Sequence, residues 1–440
     1  MTKPFDVHRY RSMFPALDRW VGGRPAVYFD GPGGSQVPAR VIEAVGRYLA
    51  RTNANCGGVF ATGIESDRLL DEARRAAADL VGTNDPDLIA FGPNMTTLTL
   101  SLARALTRTL EPGDEVLVTS LDHDANVTPW LQAARDAGAT ARAVAIRPED
   151  CTLDLDDLRA KLSVRTRWLA VGCASNAVGT INPVREIVAM AHEAGARVFL
   201  DAVHYAPHAL IDVEDWGCDF LACSAYKFFG PHVGILYGRR DLLETLPVYK
   251  LRPSPDALPH RWETGTQCHE GIAGTMEAIE YLADLGKEHG PVGSGAKPGI
   301  NERGRRAAGP DGNRGVSERR AALRTAFEVI GEHERGLAGR ALEMLSSVEG
   351  LRLIGIADPR RLAERTPTFS FTCAGTSPQK AAEHLARHGI FVWSGNFYAL
   401  PLTKALGVEP EGLVRVGLLH YNTADEIESL RRALMTLAGR

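Results

Sequence analysis

The chain has few cysteines, and none are spaced to build a framework. Seven are scattered over 440 residues, Cys56, Cys151, Cys173, Cys218, Cys223, Cys268 and Cys373, with no Cys-x-x-Cys pair. That spacing argues against a zinc site or a disulfide scaffold, and no metal is expected. Cys218 and Cys223 fall in an apolar stretch and read as packed thiols. No apolar run reaches the roughly 18 residues of a membrane span. The start, Met1-Thr2-Lys3-Pro4-Phe5-Asp6-Val7, has no apolar signal core. Net charge is −4 and the pI about 6.4, with no basic stripe interleaved with aromatics. Neither nucleic acid nor membrane is therefore expected as a partner. The expectation is a reduced, soluble, cytoplasmic protein.

What is present is a large apolar inventory, 44% of the chain. The length suggests two or three domains. From about residue 70 to 240, short apolar runs alternate with amphipathic stretches. The runs lie at 88–91, 115–119, 143–146, 168–171, 198–200, 220–222 and 234–237. Helical stretches fall between them, among them 154–162 and 184–194. Nearly continuous apolar strands alternating with helices predict a mostly parallel sheet covered on both faces. After residue 320 the pattern changes: a long helix over 319–348, strands at 351–354 and 368–371, and helices at 378–388 and 424–437. This predicts a smaller α+β domain. The segment 286–317 is rich in Gly, Pro, Lys and Arg and reads as a flexible surface insertion. The expected division is 1–30 joining the small domain, 31–285 as the large domain, 286–317 as the insertion and 318–440 as the small domain. No internal repeat is visible.

Two residues stand out. Lys227 sits in Ser224-Ala225-Tyr226-Lys227-Phe228-Phe229-Gly230-Pro231. Asp201 closes the run Val198-Phe199-Leu200, 26 positions earlier. In a parallel sheet, ligands sit at the carboxyl ends of strands, and Asp201 is in such a place. A lysine amine and a strand-end carboxylate are what pyridoxal 5'-phosphate (PLP) requires. The amine forms the Schiff base, and the carboxylate keeps the pyridine nitrogen protonated so that the ring acts as an electron sink.

With these residues the chain resembles fold-type I PLP enzymes of the class V aminotransferase group. It is most similar to the cysteine desulfurase and selenocysteine lyase branch. The resemblance runs from Tyr28-Phe29-Asp30-Gly31 to Tyr421-Asn422-Thr423. It implies a large domain with a mostly parallel seven-stranded sheet and a smaller C-terminal α+β domain. Lys227 resembles the Schiff-base lysine and Asp201 the partner of the pyridine nitrogen. His123, in Asp122-His123-Asp124-Ala125-Asn126, resembles the imidazole that stacks on the ring. Asn176 and His204 match residues near the phenolic oxygen, with Asn176 also near the substrate. Asn94-Met95-Thr96 opens a helix suited to a phosphate, and Ser224 matches a second phosphate donor. Thr266, in Glu263-Thr264-Gly265-Thr266-Gln267, resembles a threonine reaching the phosphate of a neighbouring subunit, which implies a homodimer. Tyr226 departs from the His that commonly precedes the lysine, a change that bears on proton shuttling.

Arg415, in Leu413-Val414-Arg415-Val416-Gly417, aligns with the arginine that grips the substrate α-carboxylate. A small-molecule α-amino acid is thus the implied substrate. In desulfurases the loop before it reads approximately Arg-x-Gly-x-x-Cys-Ala-x-Pro, and its cysteine takes up sulfur as a persulfide. Here the loop is Trp393-Ser394-Gly395-Asn396-Phe397-Tyr398-Ala399-Leu400-Pro401. Tyr398 stands at the cysteine position, and a phenol with a pKa near 10 cannot accept sulfane sulfur as a thiolate does. Cys268 and Cys373 are the other thiols weighed for that task. Tyr398 is expected to serve as acid, donor or wall. Three fates of a Cα carbanion stay open: β-elimination, favoured and at a C–S bond; epimerisation, as in isopenicillin N epimerases; and transamination. A reading of another class is an inactive PLP-binding or sulfur-trafficking partner.

Overall fold

The computed structural model describes residues 4–290 and 316–438. Most of the insertion expected at 286–317 lies outside the described residues.

Seven strands form the central sheet: β1 (Ile89–Gly92), β2 (Glu115–Thr119), β3 (Thr140–Val144), β4 (Thr166–Gly172), β5 (Arg197–Asp201), β6 (Phe220–Ser224) and β7 (Gly234–Gly238). Their order across the sheet is β1-β7-β6-β5-β4-β2-β3. β7 runs antiparallel to both its neighbours and the other pairings are parallel. The sheet is mostly parallel, as the apolar runs predict. Side chains alternate between its two faces. Along β5, Val198 and Leu200 enter one core, while Phe199 enters the other with Phe220 and Trp168. Strands buried on both faces need apolar residues at every position, which is why the runs are continuous rather than alternating.

A second sheet is antiparallel, in the order β8-β9-β11-β10: β8 (Leu351–Ile354), β9 (Thr368–Cys373), β10 (Trp393–Gly395) and β11 (Leu413–Gly417). Val27 and Phe29, near the chain start, lie in the core beneath it with Phe369, Phe371 and Val416. Val27–Tyr28 also pairs in parallel with Ile390–Phe391.

The long helix Glu318–Ser347 joins the two bodies. Leu323, Phe327 and Ile330 of its first half enter a large-sheet core, and Leu337, Leu342 and Leu345 of its second half enter the small-sheet core. Its partner is the helix His269–His289. Here the structure differs from the sequence expectation, which starts the insertion at Gly286. Residues 286–289 instead form the last turn of that helix. Gly286 is there for close packing: a Cβ on it would collide with the Ala322 carbonyl of the long helix. At the far side, Ser317 caps the long helix by accepting from the Arg320 amide.

Candidate active site

The carboxyl ends of β1, β2, β4, β5 and β6 open on one side of the large sheet, toward the small one. Asp201 ends β5. One of its oxygens accepts from the Val203 amide at 2.8 Å. Burial pushes its carboxyl up to about 6. Ser224 ends β6, and one turn of 3-10 helix, Ala225–Lys227, swings the lysine back over the strand ends.

Lys227 is 8% exposed. Its amine donates to the Pro32 carbonyl. Burial, followed by the neighbouring Arg415 guanidinium, pushes the amine down to about 7, against a weaker pull from Asp201 and Asp30. Such an amine is largely neutral just above neutrality, hence a nucleophile and a base.

Asn94 caps the helix Met95–Thr107, accepting from the Thr97 amide at 2.9 Å. The Met95 amide donates to Ser224 Oγ at 2.9 Å. Both sequence-identified phosphate elements therefore meet, and the Ser224 hydroxyl proton is left to donate elsewhere. Thr96 is exposed in that first turn.

His123 Nδ1 accepts from the Ala125 amide at 3.0 Å. Burial, then Lys227, pushes the ring's pKa down to about 4. It is thus a neutral imidazole with its proton on Nε2. His204 Nε2 meets the hydroxyls of Thr366 at 3.2 Å and Thr368 at 3.1 Å, tying it to the small sheet. Asn176 Nδ2 donates to the Phe397 carbonyl at 2.9 Å.

Arg415 lies in the middle of β11, 4% exposed. It donates to the Asn176 carbonyl at 2.9 Å, and its guanidinium carbon sits 4.3 Å from the Phe397 ring centroid. No ion pair satisfies it among the described residues. Burial lowers its pKa to about 9. Thr266 lies apart, exposed in the turn before the helix His269–His289.

Tyr398 is 72% exposed, at the apex of the loop after β10. Phe397 and Tyr398 both hold left-handed φ, +57° and +58°. The Asp124 amide donates to the Tyr398 carbonyl at 2.7 Å, and its ring stacks on His123. Cys373 ends β9, three residues beyond the Ser370 that faces Arg415, and Cys268 is an exposed residue just before the helix His269–His289.

Two carboxylates escaped the sequence reading. Asp30 closes Val27-Tyr28-Phe29 before a Gly-Pro-Gly-Gly turn, the same signature that marks Asp201. Burial raises it to about 6, and Arg415 and Lys227 both pull it back. Asp122 is buried beside Asp201, accepting from the Gly172 amide at 3.0 Å and from Asn126 at 2.8 Å. Burial, then Asp201, raises it to about 7.

Asp30 Oδ1, Asn176 Oδ1 and Arg415 Nε are buried without a protein partner. Buried polar atoms are nearly always satisfied, so three such atoms around one buried lysine mark a place built for a polar ligand.

The model of the family described as aminotransferase class-V matches residues 27–290 and 319–430. The chain is 31% identical to a probable cysteine desulfurase of Halalkalibacterium halodurans, over 98% of this chain and 97% of that protein. It is 32% identical to the aminotransferase-like protein FGM3 of Gibberella zeae, over 98% of each. An apo cysteine desulfurase of Thermococcus onnurineus superposes with a TM-score of 0.83, at 26% identity, over the whole of both chains.

Proposed function

The chain belongs to the class-V aminotransferase family, and within it we propose a β-eliminating lyase that acts on an α-amino acid at a C–S bond. The family is PLP-dependent. The residues present fit that cofactor, because a buried low-pKa lysine, a buried strand-end carboxylate and unpartnered polar atoms converge. Lys227 would hold it covalently and Asp201 would pair with the pyridine nitrogen. Ser224 and the 94–96 helix start would take the phosphate, with Thr266 of a second subunit reaching it in a homodimer. His123 would face the ring, and Asn176 and His204 its phenolic oxygen. Bound there, the cofactor supplies a sink for charge developing at Cα.

The other steps fall to the protein. Arg415, lacking an ionic partner, takes the substrate carboxylate as a fork. The Lys227 amine removes the Cα proton. The Cα–H and Cβ–S bonds break, a Cα–Cβ double bond forms, and sulfur leaves with the electron pair of its bond. Asp30, between Arg415 and Lys227, offsets their mutual repulsion.

The observation that supports elimination over persulfide transfer is Tyr398 at the loop apex, where sulfur would have to be caught. The test is to incubate the cofactor-loaded protein with cysteine and S-substituted cysteines. Pyruvate, ammonia and a free thiol or sulfide should appear together. If none forms while the Cα proton exchanges with solvent deuterium, the epimerase or aminotransferase reading replaces elimination. If added amino acids leave the cofactor absorbance unchanged, the protein is an inactive binding or sulfur-trafficking partner. The division into a large and a small domain and a cytoplasmic location belong to the same proposal.

A further inference from the structure

The strand register puts an aromatic side chain beside the carboxylate grip. Trp393 of β10 stands opposite Arg415 of β11, and Arg415 opposite Ser370 of β9. Residues directly opposite on neighbouring strands share a face, with Cβ atoms about 5 Å apart. Ser370, Arg415 and Trp393 therefore form one row, turned toward the large domain. Ser370 Oγ donates to the Ala177 carbonyl and Arg415 donates to the Asn176 carbonyl. Trp393 ends the row on the edge strand, 53% exposed.

Its indole lies against the turn that touches the lysine. A Cβ on Gly33 would lie 2.4 Å from the indole nitrogen, so the ring abuts the turn at that glycine. One residue earlier, Pro32 accepts from Lys227. One residue later, a Cβ on Gly34 would lie 3.4 Å from the Tyr226 ring. The 32–34 turn thus runs between two aromatic rings and is tied to the amine. Tyr398 supplies a third ring, above His123.

A ligand held by Arg415 at its carboxylate, with Cα toward Lys227, has the Trp393 indole next to it. In the desulfurase pattern this position is an arginine and the apex a cysteine; here both are aromatic. An arginine and a thiol suit a small sulfur substrate. Two flat, partly exposed rings suit a flat side chain, which gains stacking beyond its buried area.

We propose that Trp393 is a specificity-determining residue that selects amino acids with a planar aromatic group on the Cβ substituent, in preference to small ones such as cysteine. This rests on the PLP amino-acid reading above and not on elimination as the reaction.

The test is ligand binding to the cofactor-loaded protein, followed by calorimetry and by the cofactor absorbance, with S-phenyl-L-cysteine against S-methyl-L-cysteine. The phenyl compound should bind about tenfold more tightly, the size expected of one added aromatic contact. Trp393→Leu, which keeps apolar bulk without the ring, should lose most of that preference and leave the methyl compound within twofold. Trp393→Phe should retain it. Equal weakening of both ligands in Trp393→Leu would mean a structural role and overturn the proposal. No preference in the parent protein would overturn it too. A preference without release of pyruvate and thiophenol would leave the proposal standing and remove only β-elimination.

Discussion

The phenol ring of Tyr398 lies on the imidazole of His123, with centroids 5.4 Å apart and planes 25° from parallel. The residue aligned with the desulfurase cysteine is thus in contact with the imidazole proposed to face the cofactor ring. Its loop is held in that place by the Asp124 amide on the Tyr398 carbonyl, not by the phenol itself.

A persulfide should therefore not form. After incubation with cysteine, mass spectrometry without reductant is expected to find no added sulfur on any cysteine peptide. Alkylating the thiols should leave activity largely intact. A turnover-competent persulfide on Cys268 or Cys373 would refute the elimination route while leaving the cofactor assignment in place.

Lys227 should be the sole site of covalent cofactor attachment, located by borohydride trapping and peptide mapping. Lys227→Ala should lower Cα proton removal by about 10²–10⁴-fold, the range for loss of a general base. In the cofactor-free protein, the amine is protonated below about 7 and neutral above it. The rate of cofactor capture should accordingly rise as pH passes 7, then flatten. A rise centred near the ordinary lysine value of about 10.4 would show that burial does not tune this amine.

Asp201→Ala should reduce turnover by about a hundredfold or more while the protein still binds the cofactor phosphate. Among the described residues the carboxylate accepts one hydrogen bond, from Val203, and its other oxygen is the one proposed to meet the pyridine nitrogen. Near-normal turnover would mean that another group holds the ring.

Thr266 should matter only in a dimer. Light scattering is expected to give twice the chain mass, and Thr266→Ala should speed cofactor loss without changing that mass. A monomer with full activity would exclude a shared phosphate site.

Gly286→Ala should cost about 1–3 kcal/mol in thermal unfolding, the usual penalty for overpacking. The added methyl meets the Ala322 carbonyl across two packed helices, and backbone cannot move aside as a side chain can.

Much of this was legible along the chain. Continuous apolar runs between amphipathic stretches specify buried parallel strands, because each face of each strand must be apolar. Lys227 and Asp201 stood out for a related reason: a carboxylate closing one such run and a lysine just past another lie at the strand ends, where a parallel sheet takes its ligand. Gly286 misled, since a glycine that admits a neighbouring helix reads locally like one that breaks its own.

What the sequence determined by itself was the set of local structures and the chemistry placed at their ends. Tertiary structure alone decided which distant residues became neighbours. Asp30 and Arg415 are separated by nearly the whole chain, yet both act on the Lys227 amine. Trp393 came to stand beside Arg415 only through antiparallel strand register, and its indole came to lie against Gly33 only because the 32–34 turn crosses there. Burial then set the protonation states. Desolvation moved Lys227 down and Asp201, Asp30 and Asp122 up, and desolvation depends on what covers a group in three dimensions, not on its neighbours in sequence.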